Sequence, residues 1–150
     1  MIDVFKSLFR PDATPRTEVS PQIAVAALLV DAARADGVYA PDESDAVAAL
    51  LAAIFSLTPA EARALRAQGE VAQGDAPDIV RFTRVIKFAL EEDQRIQLIE
   101  ALWSVVLVDH QRDPNEDALL RRLPPLIAVS DHDSAAARHR VLARHTAEGS

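Results

Sequence analysis

The chain has 150 residues, 49% of them hydrophobic, which is enough for one domain to bury a core without staples. It contains no cysteine, which excludes disulfides, thiolate metal sites and thiol redox chemistry within the chain and fits a reducing compartment. A formal charge of −7 argues against a general nucleic-acid binder, which needs a basic face for phosphates.

Only four glycines occur, alanine and leucine dominate the periodic segments, and no stretch alternates apolar with polar residues. The expected fold class is therefore all-α. The first ten residues lack the basic region and long apolar stretch of a signal peptide. They predict a short helix over 3–9 with Phe5, Leu8 and Phe9 on one side. That stripe is expected to dock on the protein's own core, ahead of a membrane or partner contact. Residues 10–20 are polar with prolines and read as a linker.

Ser20-Pro21 signals the start of a helix over 21–35, with Ser as N-cap and Pro at the first helical position. A helix over 41–55 follows, striped by Val47, Leu50, Leu51 and Ile54. Its run from Ala46 to Phe55 is the longest apolar stretch, about half the roughly 20 residues a membrane-spanning helix needs. Thr58-Pro59-Ala60-Glu61 is a capping box opening a helix over 59–70. A helix over 77–90 carries Ile79, Phe82, Ile86 and Leu90 on one face. The helix over 93–109 is apolar round most of its circumference, which predicts a central place in the bundle with Trp103 as a core anchor. Before it, Glu91-Glu92-Asp93 reads as an acidic helix start, and Arg95 as the partner of a neighbouring acid. Asp113-Pro114-Asn115-Glu116 opens a helix over 114–127, where Pro124-Pro125 predicts a kink or break. Ser130-Asp131-His132-Asp133 opens the last helix, over 131–145.

One motif occurs twice. Asp36-Gly37-Val38-Tyr39-Ala40-Pro41-Asp42-Glu43 has the layout of Asp109-His110-Gln111-Arg112-Asp113-Pro114-Asn115-Glu116, 73 residues later. The apolar positions keep the step, since Val47, Leu50 and Ile54 correspond to Leu120, Leu123 and Ile127. Asp36 and Asp109 fall at helix C-termini, where the dipole disfavours an acid, and Glu43 and Glu116 fall in the first turn of the next helix, where it favours one. Two carboxylates and the last carbonyls of a helix can make a hard-oxygen corner for Ca²⁺ or Mg²⁺. The other reading is structural. Glu116 completes a capping box begun by Asp113, Glu43 occupies the matching place after Ala40, and Gly37 suits the residue just beyond a helix end. From residues alone the two readings stand level.

Other chemistry finds little support. His110, His132, His139 and His145 lack the spacing of a helical zinc or di-iron site. No Gly-rich phosphate loop and no nucleophile motif occurs.

Three segments together resemble the TerB family, named for tellurite resistance. They are Ala-Ala-Leu-Leu-Val-Asp-Ala-Ala-Arg-Ala-Asp-Gly over 26–37 followed by Glu43, Ile99-Glu100-Ala101-Leu102-Trp103 leading to Asp109 and Glu116, and Val129-Ser130-Asp131-His132-Asp133. The resemblance covers about residues 20–145. It implies a single compact bundle of about seven to eight helices made of two related halves, about 24–62 and 97–136, in a domain over 20–150 that follows a short helix and linker in 1–19. It also implies that Asp36, Glu43, Asp109 and Glu116 bind a divalent cation, Ca²⁺ or Mg²⁺. The implied role is a stress-response or scaffold function in the cytoplasm, in some members at the inner face of the membrane. The expectation is thus a non-enzymatic module that binds a cation and engages a protein partner. The alternative is a helical adaptor without metal, and a metal-dependent hydrolase ranks third.

Overall fold

The computed structural model describes residues 19–35, 37–75, 79–108 and 114–149, without the side chains of 107–108, 114–117 and 145–149. The expected helix over 3–9 and its Phe5, Leu8, Phe9 stripe lie outside the described residues. Among those described, seven helices follow one another and no strand occurs. They are α1 (Pro21–Arg34), α2 (Pro41–Phe55), α3 (Pro59–Asp75), α4 (Ile79–Ala89), α5 (Glu92–Val108), α6 (Pro114–Leu126) and α7 (Asp131–Gly149).

The helices start where their capping residues stand. Ser20 Oγ accepts the Ile23 N–H at 3.1 Å and Pro21 fills the first position of α1. Thr58 and Glu61 form the reciprocal box of α3, with the Glu61 N–H on Thr58 Oγ1 at 3.1 Å and the Thr58 N–H on Glu61 Oε1 at 2.9 Å. Ser130 Oγ caps α7 by accepting the Asp133 N–H at 3.1 Å.

α1 is the hub. It packs against α2, α3, α4 and α5, and every residue from Ala24 to Val30 is fully buried. Alanines at 24, 26, 27, 32 and 33 keep the helix thin enough for its neighbours to close around it. Gly69 of α3 sits against this thin wall. A Cβ built there would lie 2.5 Å from Ala26 Cβ and 2.8 Å from the Ala26 carbonyl carbon, so the crossing tolerates no side chain. α5, expected at the centre, is the second hub. It touches α1, α2, α6 and α7, with Leu98, Ile99, Leu102, Val105 and Val106 buried and Trp103 and Ser104 half-buried. The stripe of α4 faces inward as expected, through Ile79, Phe82 and Ile86, and Leu90 is buried just beyond its end.

The double proline does not break α6. Pro124 and Pro125 lie inside its last turn and remove the N–H donors that would reach the Leu120 and Arg121 carbonyls, yet the helix runs on to Leu126. The chain then closes a Schellman turn, with the Val129 N–H on the Pro124 carbonyl at 2.8 Å, the Ala128 N–H on the Pro125 carbonyl at 3.2 Å and Ala128 at φ 59°. Arg95, expected to pair with an acid, instead donates to the Ile127 and Ala128 carbonyls at 2.9 and 3.2 Å and so caps this end. Glu100 of α5 holds α7 through Arg140 at 2.8 Å and Arg144 at 2.7 Å.

No single described helix is long and apolar enough to cross a membrane. α2 and α3 together reach the length, but they are bent by 113° at their junction and both pack on α1.

Candidate functional site

The first Asp–Glu corner joins α1 to α2. Arg34 ends α1, and the chain turns through Gly37 at φ 86°, a left-handed conformation that glycine adopts without strain. The Gly37 N–H donates to the Arg34 carbonyl at 2.9 Å, and the Ala35 N–H to the Ala32 carbonyl at 3.3 Å. Two of the carbonyls at this helix end are therefore already accepting hydrogen bonds.

Glu43 lies in the first turn of α2 and is buried, with 5% of its surface exposed. Its Oε1 accepts the Ala40 N–H at 2.9 Å. This is one half of a capping box. Ala40 has no acceptor for the other half, and Asp42 Oδ1 takes the Glu43 N–H instead, at 3.1 Å. Of the four expected cation ligands, Glu43 is the one whose side chain is described. Asp36 and Asp109 lie outside the described residues, as do His110 and Asp113. The backbone of Glu116 stands two residues after Pro114 in α6, as Glu43 stands two after Pro41.

A network that the motif did not announce ties the corner to α3. The Tyr39 hydroxyl donates to Glu70 Oε2 at 2.6 Å, and Arg66 approaches the same carboxylate at 3.4 Å while donating to the Ser44 carbonyl at 3.3 Å. The Arg34 guanidinium lies 5.0 Å from the centre of the Tyr39 ring and donates to Gln73 Oε1 at 2.6 Å. Gln73 passes the chain on, donating from Nε2 to Asp31 Oδ1 at 3.0 Å. Residues of α1, the corner, α2 and α3 are thus bound in one polar strap beside the apolar hub.

Burial shapes the titration of this strap. It pushes the Asp31 carboxyl up from the usual range, against the opposing effects of the Gln73 hydrogen bond and the Arg122 charge. It also raises the Tyr39 hydroxyl to about 12, helped by the hydrogen bond to Glu70 and the charge of that carboxylate. A phenol held this firmly in its protonated form is the opposite of an activated nucleophile or base.

The fit of a divalent cation can be judged from these donors. Ca²⁺ takes about six to eight oxygens. The described residues offer Glu43, already engaged with the Ala40 N–H, and a helix end with two carbonyls in use. Among the described residues no group of three or more His, Asp or Glu side chains stands close enough to hold a metal.

Sequence reasoning missed Asp31, Arg34, Glu70 and Gln73. Arg34 and Asp31 lie inside the Ala-rich run that marks α1, where a charged residue on a buried helix signals a partner across the interface. Nothing in the α3 sequence identified Glu70 and Gln73 as those partners.

A family model described as Tellurite resistance protein TerB matches residues 22–139. No curated protein matches the chain, and no solved structure does.

Proposed function

The chain belongs to the TerB family, and from that premise we propose that it is a non-enzymatic helical adaptor of the tellurite-resistance class, which engages a protein partner. The observation that carries this reading is Glu43. Its carboxylate is buried and its Oε1 accepts the Ala40 N–H where α2 starts, so the motif acid supports a joint between helices. The strap around Tyr39 acts in the same sense, since its phenol is held protonated and the Glu70 carboxylate is paired with the Arg66 guanidinium. The test is turnover. The purified chain with Ca²⁺ or Mg²⁺ should not hydrolyse a generic phosphoester, and hydrolysis lost in Glu43→Gln would contradict the reading and restore a hydrolase.

The second reading is a divalent cation held at the first corner by Asp36 and Glu43, and at the second by Asp109 and Glu116. The motif supplies an acid at each side of both corners, and Glu43 stands in the first turn of α2 beside the end of α1. A ligand that binds only the folded state raises its stability. On this reading Ca²⁺ or Mg²⁺ raises the melting temperature of the wild type, and Asp36→Ala abolishes the rise. A wild type indifferent to both ions would sink it.

A further inference from the structure

Away from the corner, α5, α6 and α7 enclose a cleft of about 240 Å³. That is the liquid volume of roughly eight waters, and somewhat below the usual range of about 300–1,000 Å³ for drug-sized ligands. Trp103 and Pro124 supply apolar lining, Arg121 and Arg138 bring positive charge, and Asp131 and Ser134 complete the polar part. The Arg138 guanidinium stacks over the Trp103 ring, 5.1 Å from its centre. Arg121 is exposed, and among the described residues neither arginine is paired with a carboxylate.

The charge of this place runs against that of the molecule. The chain carries 16 Lys and Arg against 23 Asp and Glu, yet the cleft is lined by two arginines and one aspartate. In an acidic protein such a local reversal attracts an anion that the rest of the surface repels. The half-buried indole joins Leu120 and Pro124 in an apolar wall, and the guanidinium stacked on it is held in place to receive a carboxylate or phosphate. We propose that the cleft between α5, α6 and α7 binds a small planar organic anion, an aryl phosphate or aryl carboxylate. Its ring lies against the apolar lining of Trp103, Leu120 and Pro124, and its charge is taken by Arg121 and Arg138.

Trp103 is the single tryptophan of the chain, so its emission reports this cleft alone. Phenyl phosphate is the probe, with inorganic phosphate and benzyl alcohol as the two halves of its chemistry. Phenyl phosphate should change Trp103 emission saturably and raise the melting temperature. Inorganic phosphate and benzyl alcohol should each bind about tenfold or more weakly. Arg121→Gln, an exposed substitution whose own melting curve verifies its fold, should weaken phenyl phosphate about tenfold, the loss of one charge-assisted contact. Asp131→Asn should bind at least as tightly as wild type. No saturation below about 10 mM would overturn the proposal. So would equal affinity for inorganic phosphate, or an unchanged affinity in Arg121→Gln.

Discussion

Glu43 shows how one side chain settles a question of placement. Ala40 cannot cap a helix, yet α2 begins there, because Pro41 fixes the backbone and Glu43 reaches back to the Ala40 N–H. The carboxylate is favoured there twice, by the hydrogen bond and by the positive end of the helix dipole. Tyr39, four residues earlier, has the complementary task of holding the corner to Glu70. Its folded-state proton is bound more tightly than that of a free phenol, which titrates at about 10. The stabilisation from that proton is complete below about pH 10 and is lost as pH rises through about 12. Urea unfolding of Tyr39→Phe should therefore show a smaller loss of stability between about pH 9.5 and pH 12 than wild type. Identical alkaline profiles would mean that Tyr39 does not carry this load.

At the scale of elements, the crossing of α1 and α3 is set by absent atoms. Gly69→Ala should destabilise the protein by about 1–3 kcal/mol, measured by denaturant unfolding, because the new methyl has to push two packed helices apart. Adding Ala26→Gly should restore only part of the loss. It removes the nearest Cβ, but the Ala26 carbonyl carbon at 2.8 Å and the Ala27 nitrogen at 3.0 Å remain. Full recovery would show that backbone approach is not what excludes a side chain there. The elements themselves were largely legible in the sequence. Ser20-Pro21, Thr58 with Glu61, and Ser130 mark helix starts by local hydrogen bonding, and local chemistry can be read without knowing the fold. The Pro124-Pro125 pair misled because the two lost donors cost α6 hydrogen bonds without ending it, and where α6 ends depends on the Schellman turn at Ala128. Arg95 and Gln73 were illegible for a different reason. Their partners, the Ile127 carbonyl and Asp31, lie 32 and 42 residues away, and only tertiary packing brings them close. Trp103 fell between these cases. Its apolar neighbours pointed to the core, and it does pack there, but its half-buried indole also lines the cleft with Arg138.

For the whole molecule, the duplicated motif and the fold meet at the corners. α1 is buried on all sides, so every force that sets its direction is passed to α2, α3, α4 and α5. The first corner fixes the angle at which α2 leaves α1, and the polar strap fixes α3 against both. A scaffold of this kind keeps surface features, such as Phe88 and the cleft at Trp103, in constant relation to one another. Glu43 serves this joint through its capping oxygen. Glutamine keeps an acceptor in the same place and gives up the charge, and alanine gives up both. The deciding measurement is thermal melting of wild type, Glu43→Gln and Glu43→Ala, each with and without excess Ca²⁺ or Mg²⁺. Glu43→Gln should melt close to wild type, Glu43→Ala should be less stable by about 1–2 kcal/mol, and neither ion should change the order. A wild type that melts higher with the ion, and a Glu43→Gln variant that does not, would contradict it and make the corner a cation site.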